Sequence, residues 1–190
     1  YPLAYTQLWH ASNRSGQWKT SLVRQPDDSS GEVGSGMSIA IGPDDQPAIA
    51  SWYNERGPGG SAQWSRLQFY QMNSAGAWAR SEVLSRPESY LAGDGEKGTG
   101  VQPYLRFDPR GRPHIVFLDH ASEHFPFQNE YAGHLRHAWL DGGRWNVETL
   151  FHQDKPLQQQ MVFPAFAVNG SEITATGLEF LHKLTSGTDG

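Results

Sequence analysis

The sequence predicts an all-β chain assembled from repeated four-stranded antiparallel units, and three observations predict it. Short segments recur in which apolar residues alternate with polar ones at the period of a strand. Gly (21) and Pro (12) are frequent enough to close a turn after nearly every such segment. Seven Trp, seven Tyr and nine Phe, against three Met, make aromatic rings the bulk of any core, and aromatic side chains favour strands.

Two half-units repeat. The first runs from Gly100 to Phe117, with an earlier copy from Met37 to Ser51 and a shorter one from Val162 to Ile173. Pro43 corresponds to Pro109 and Pro47 to Pro113, at a common offset of 66. Each copy reads as two strands around a turn. Ile39 and Ile41, Leu105 and Phe107, Phe166 and Val168 alternate along the first strand. Asp108-Pro109-Arg110-Gly111 and Asn169-Gly170 carry turn chemistry. The Pro after the turn opens the second strand, where its missing N–H is tolerated.

In the second half-unit, Leu8 leads to Trp18, Leu67 to Trp78 and Leu135 to Trp145, at spacings of 10, 11 and 10. Val23, Val83 or Leu150 follows five residues beyond each Trp. This is again strand, Gly turn, strand, with the Trp expected to be buried at the start of the last strand.

Joined in order, the half-units predict a β-propeller of four-stranded antiparallel blades in one domain, 1–190. The divisions are a half blade at 1–24, blades at 37–84 and 101–150, and a half blade at 161–183. The competing architecture is a meander or sandwich of the same hairpins. The terminal halves add up to one blade, so the chain holds about three. Propellers typically have four to eight. The expectation is therefore a fragment or half of a ring, completed by a second protein chain or by self-association.

Composition narrows the function. A formal charge of −5 without any basic cluster argues against a nucleic-acid partner. No apolar run approaches the roughly 20 residues that span a bilayer, so no membrane span is expected. The absence of cysteine excludes disulfides, Cys-ligated zinc, iron–sulfur clusters and a thiol nucleophile. No cofactor is expected.

The run Pro103 to Ile115, followed by Leu135-Arg136-His137-Ala138-Trp139 and Gly143-Arg144-Trp145, resembles the repeats of bacterial sialidase-like (BNR-type) propeller proteins. The resemblance covers most of residues 5–175 and implies a propeller with a leaning towards carbohydrate, located outside the cell or in the periplasm. An Asp box would read Ser-x-Asp-x-Gly-x-x-Trp. Asp141-Gly142-Gly143-Arg144-Trp145 is one residue short of it and lacks the Ser. The three arginines and Tyr–Glu pair of a sialidase do not map onto this chain, so the resemblance implies no catalytic assignment.

Asp119-His120-Ala121-Ser122-Glu123-His124 is the densest polar constellation. It matches His-x-x-Glu-His, a zinc-peptidase signature that works only on a helix, whereas here it follows a strand. A loop metal site from Asp119, His120, Glu123 or His124 needs a remote further ligand. A sugar-active site is the third reading. His120 or His124 would be base, Tyr131 acid, and Arg106 or Arg136 the neutraliser of a uronate. Asp119 and Glu123 are the nearest carboxylate pair for a glycosidase. A solvated polar loop is the plainest reading of all. Trp52, Tyr53 and Trp64 are candidates to stack on sugar rings, with core burial as the default. His10 and His137 share a repeat position and are expected to serve packing, as is His114. Asp108 and Asn169 are expected to bond the backbone of their turns. No complete catalytic set can be named. A non-catalytic binding or scaffold module therefore ranks above a polysaccharide lyase, glycosidase or lectin.

Overall fold

A computed structural model describes residues 7–25, 31–56, 62–87, 99–119, 134–151, 159–169 and 172–181. Among them are twelve strands and no helix, so none that could cross a membrane. The strands are β1 (Leu8–Ser12), β2 (Lys19–Arg24), β3 (Gly31–Ile41), β4 (Pro47–Arg56), β5 (Ala62–Met72) and β6 (Trp78–Pro87). Then follow β7 (Thr99–Phe107), β8 (Pro113–Asp119), β9 (His134–Asp141), β10 (Arg144–Phe151), β11 (Gln159–Asn169) and β12 (Glu172–Leu181). Every pairing is antiparallel and between sequence neighbours. They form a two-stranded sheet β1–β2, four-stranded sheets β3–β6 and β7–β10, and a two-stranded sheet β11–β12.

Four of the turns share one shape. Gly16, Asp45, Gly76 and Gly111 each donate their N–H to the carbonyl three residues earlier, at 2.8–3.0 Å. All four have positive φ, which glycine adopts without penalty; Asp45 alone carries a side chain there, at 59°. The β9–β10 turn instead uses Gly142 and Gly143, both at positive φ, the pattern of a two-residue hairpin. Pro47 and Pro113 are the first residues of β4 and β8, where no ladder donor is required.

The sheets stack face to face in chain order. Ala48, Ala50, Leu67, Phe69 and Val83 of sheet β3–β6 meet Leu105, Ile115, Phe117 and Ala138 of sheet β7–β10 in the largest buried cluster. Leu8 packs with Ile49, Tyr53 and Tyr70 between β1–β2 and β3–β6. Burying one such large side chain is worth about 1.5–3 kcal/mol, so these clusters hold the stack together.

The seam between the two four-stranded sheets is narrow at one side and wide at the other. At the narrow side β3 abuts β7 through Gly36, Ser38, Ala40 and Gly42, which alternate onto one face. A methyl on Gly36 would stand 3.0 Å from the Gln102 backbone nitrogen, and one on Gly42 3.4 Å from the Phe107 ring. The Leu105 N–H donates to Ser38 Oγ at 3.1 Å. At the wide side the gap is a tryptophan across. Trp145 lies edge-on to Phe69 at 5.3 Å, and its Nε1–H donates to Ser81 Oγ at 3.0 Å. The preceding seam repeats the device: Trp78 lies edge-on to His10, and its Nε1–H donates to Ser21 Oγ at 3.4 Å. Ser21 and Ser81 each stand three residues beyond their own sheet's Trp.

One expectation fails on burial. Trp18 is 72% exposed, and Trp78 and Trp145 are half-buried, because each Trp is covered by the sheet before its own and no described sheet precedes β1–β2. Ile39 and Ile41 share a face as expected, but they are 53% and 60% exposed. The two-stranded sheet β1–β2 covers β4 and β5 and leaves β3 bare.

Candidate functional site

Three polar clusters lie between the sheets. The first sits where β8 ends and the Asp119–His124 segment begins. Asp119 is fully buried, and Arg136 Nε stands 2.8 Å from its Oδ2. His134, also buried, is the cross-strand partner of Asp119 in the β8–β9 register. A charge removed from water needs this kind of partner, since the unpaired ion would cost several kcal/mol. The arrangement can orient a guanidinium.

The second cluster takes the same place in the preceding seam, for Tyr53 and Asp119 differ by the offset of 66. Arg24 is 7% exposed, stacks 3.7 Å over the Tyr53 ring, and donates to Tyr70 Oη at 3.2 Å and to Gln68 Oε1. Each of these two seams thus holds one arginine at this end, Arg24 buried and Arg136 partly buried. Sequence reasoning missed Arg24; its signal was its place one residue beyond Val23, at the inward end of β2.

The third cluster lies at the opposite, turn end of sheet β7–β10. Asp108 Oδ1 accepts from the backbone N–H groups of Arg110 and Arg112 at 2.9 and 2.8 Å. Its Oδ2 accepts from Arg112 Nε at 2.8 Å. Burial opposes ionisation, but the bonds from the Arg112 backbone and guanidinium and from His114 outweigh it and hold the carboxyl at about 2. His114 Nε2 stands 3.4 Å from Asp108 Oδ2, and His114 Nδ1 stands 2.9 Å from His137 Nε2. His137 Nδ1 is 2.9 Å from Glu148 Oε1. These contacts form a chain, Asp108–His114–His137–Glu148. Burial and the neighbouring His137 push the His114 pKa down, which keeps that ring neutral. His114 and His137 are buried. Their burial agrees with a packing role, and Asp108 bonds its turn as expected.

The candidate residues read from sequence scatter. Asp119 and Arg136 come together. Arg106 does not join them: it pairs with His114 at the far end of β7–β8, and its Nη1 donates to the Leu105 carbonyl at 2.8 Å. Trp52 is buried, with Nε1 donating to Ser65 Oγ at 2.8 Å, and Tyr53 is covered by Arg24. Neither ring faces solvent to stack on a sugar, because their strand is the centre of its sheet. Trp64 lies on β5 opposite Glu55 and Pro87, and its side chain is outside the described residues. His120, Glu123, His124 and Tyr131 lie outside them too. Among the described residues no group of three His, Asp or Glu side chains is placed to hold a metal ion.

A cavity of 550 Å³ opens between β1–β2 and sheet β3–β6, lined by His10, Ser12, Arg14, Lys19, Ile41 and Pro47 among others. Arg14 is ion-paired across it to Asp45. Comparison with known proteins finds no family model that matches the chain and no curated protein that matches it.

Proposed function

We propose that the chain is a non-catalytic β-propeller-type module that binds or scaffolds other molecules as part of a ring or larger assembly. The observation that carries this reading is the wedge-shaped seam. Four-stranded meanders that abut through Gly, Ser and Ala on one side and stand a tryptophan apart on the other must turn about an axis near β3 and β7. A flat sandwich has no reason to grade its residues in this way. The polar clusters support a scaffold because their central side chains, Asp108, His114, His137, Asp119 and Arg24, are buried and bonded within the protein. Uronate-containing and neutral polysaccharides, followed by ultraviolet absorbance of unsaturated products and by reducing-end release, are expected to show no turnover. Turnover that is lost in Arg136→Met, with the fold retained, refutes the non-catalytic reading.

One observation favours a carbohydrate-active alternative: the Asp119–Arg136 pair stands directly before His120 in sequence, in the run that also carries Glu123 and His124. The same assay decides between the two.

A further inference from the structure

The two seams of sheet β7–β10 differ in one place. In sheet β3–β6, Ala48 and Phe69 lie in the buried apolar cluster that faces the next sheet. Carried through the repeat, their register positions fall on His114 and His137. Ala50 pairs with Phe69 as Val116 pairs with His137, and Ala48 pairs with Gln71 as His114 pairs with Trp139. Ile115 and Phe117 of β8 point back into the apolar cluster, so His114 and Val116 point the other way by strand alternation. On that side β11 packs against β7 and β8. One seam is thus closed by an alanine and a phenylalanine, and the next by two imidazoles at 4% and 2% exposure. The repeat itself does not need histidine in either place.

The two rings are tightly coupled. His114 Nδ1 stands 2.9 Å from His137 Nε2, and the rings stack with centres 5.2 Å apart. That gap has room for one hydrogen. When both rings are imidazolium, each of the two nitrogens carries its own, and the contact has to open. The charged groups around the pair, among the described residues, are Asp108 and Arg112 at the β7–β8 turn, Arg106 opposite His114 on β7, and Glu148 opposite His137 on β10. Tyr104 stands opposite Val116, and Trp139 stacks on His137 at 5.1 Å. β11 brings no titratable residue, and its partner β12 brings Glu172 and Glu179, near its two ends. The two carboxylates and two guanidiniums beside the pair cancel in formal charge. They supply no net charge to offset a second added proton.

We propose that this pair makes the seam between sheets β7–β10 and β11–β12 an acid-sensitive joint: mild acidification releases β11–β12, while the apolar seam between β3–β6 and β7–β10 stays closed. The docked pair takes up at most one proton, and the released pair takes up two. The released state therefore binds more protons, and docking weakens as the pH falls through the ordinary imidazole range. Burial and the neighbouring His137 hold His114 below its ordinary value, which is the sign the joint requires. Asp108, held at about 2, stays ionised throughout that range. The joint depends on this seam alone and does not require the sheets to close a ring.

An imidazole that stays neutral while docked and titrates near ~6.5 once released favours release about thirtyfold more at pH 5 than at pH 7.5. Amide hydrogen exchange, corrected for its intrinsic pH dependence, is expected to show that rise in β11 and β12, with β4 and β5 unchanged. His114→Ala/His137→Phe installs the pair of the preceding sheet. It is expected to hold exchange in β11 and β12 within about twofold over the same range. Nuclear magnetic resonance titration of the imidazole Cε1–H groups reads the wild type directly, so the test survives a double variant that does not fold. At least one of the two rings is expected to stay neutral until β11–β12 is released. Two ordinary titrations with β11–β12 still protected overturn the proposal, as does an equal acid release in the double variant.

Discussion

Gly111 and Gly76 close turns of the same shape at the same φ of 80°, but only Gly111 touches another sheet. A methyl added at Gly111 would stand 2.7 Å from Pro43 Cγ, in the turn of the neighbouring sheet, whereas nothing lies within 4 Å of one added at Gly76. Alanine at a left-handed position costs about 1–2 kcal/mol. The stiffer unfolded chain returns about 0.4–1 kcal/mol. Gly76→Ala should therefore destabilise by about 1 kcal/mol. Ordinary carbon contacts lie near ~3.5–4 Å, and the pyrrolidine ring cannot bend away, so Gly111→Ala also forces the two turns apart. Overpacking of this kind adds about 1–3 kcal/mol, for about 2–4 kcal/mol in total. At about 2–4 °C per kcal/mol for a chain of this size, the melting points should fall by about 3 °C and about 5–15 °C respectively. Urea unfolding followed by tryptophan fluorescence measures the difference, and Pro43→Ala in the Gly111→Ala background should recover most of it. Equal losses for the two glycines, or no recovery, would refute the contact between the turns.

Two further outcomes follow from the buried charges. Asp108, held at about 2 against an ordinary 3.8, contributes stability that is present above pH 4 and lost as pH falls towards 2. His114, held below 6.5, adds a loss in the same direction as pH drops beneath that value, because the unfolded ring takes up the proton first. Asp108→Asn should cost about 1–3 kcal/mol at pH 7 and flatten the step between pH 4 and 2, as acid titrations of circular dichroism would show. Arg136→Met leaves the Asp119 carboxylate buried without its guanidinium and should cost about 3–5 kcal/mol. The double change Asp119→Leu/Arg136→Met should be milder than that single change, and calorimetry on both variants checks it.

Strand order was legible in the sequence because the Leu8, Leu67 and Leu135 series and the Trp18, Trp78 and Trp145 series each mark the same pair of strands. Turn placement was legible at Asp108 to Gly111, since the carboxylate and the left-handed glycine both act within five residues. Burial was not. Alternation puts Ile39 and Ile41 on one face, but only the sheet above decides whether that face is dry. The polar chain from Asp108 to Glu148 was missed for a related reason. His114 and His137 stand 23 residues apart and become neighbours only through the β8–β9 register. The available signal was that His114, His137 and Glu148 share one parity on three successive strands. Arg106 and Asp119 were grouped by charge type, whereas the length of the strand pair holds them at opposite ends.

The graded seam between β3 and β7 has a mechanical consequence. The volumes at Gly36, Ser38, Ala40 and Gly42 act as the pin of a hinge: they set how sharply each sheet is rotated from the last. Larger side chains there would open the pin and splay the two sheets apart. On the propeller reading proposed above, the number of sheets per turn would then rest on four small residues along one edge strand.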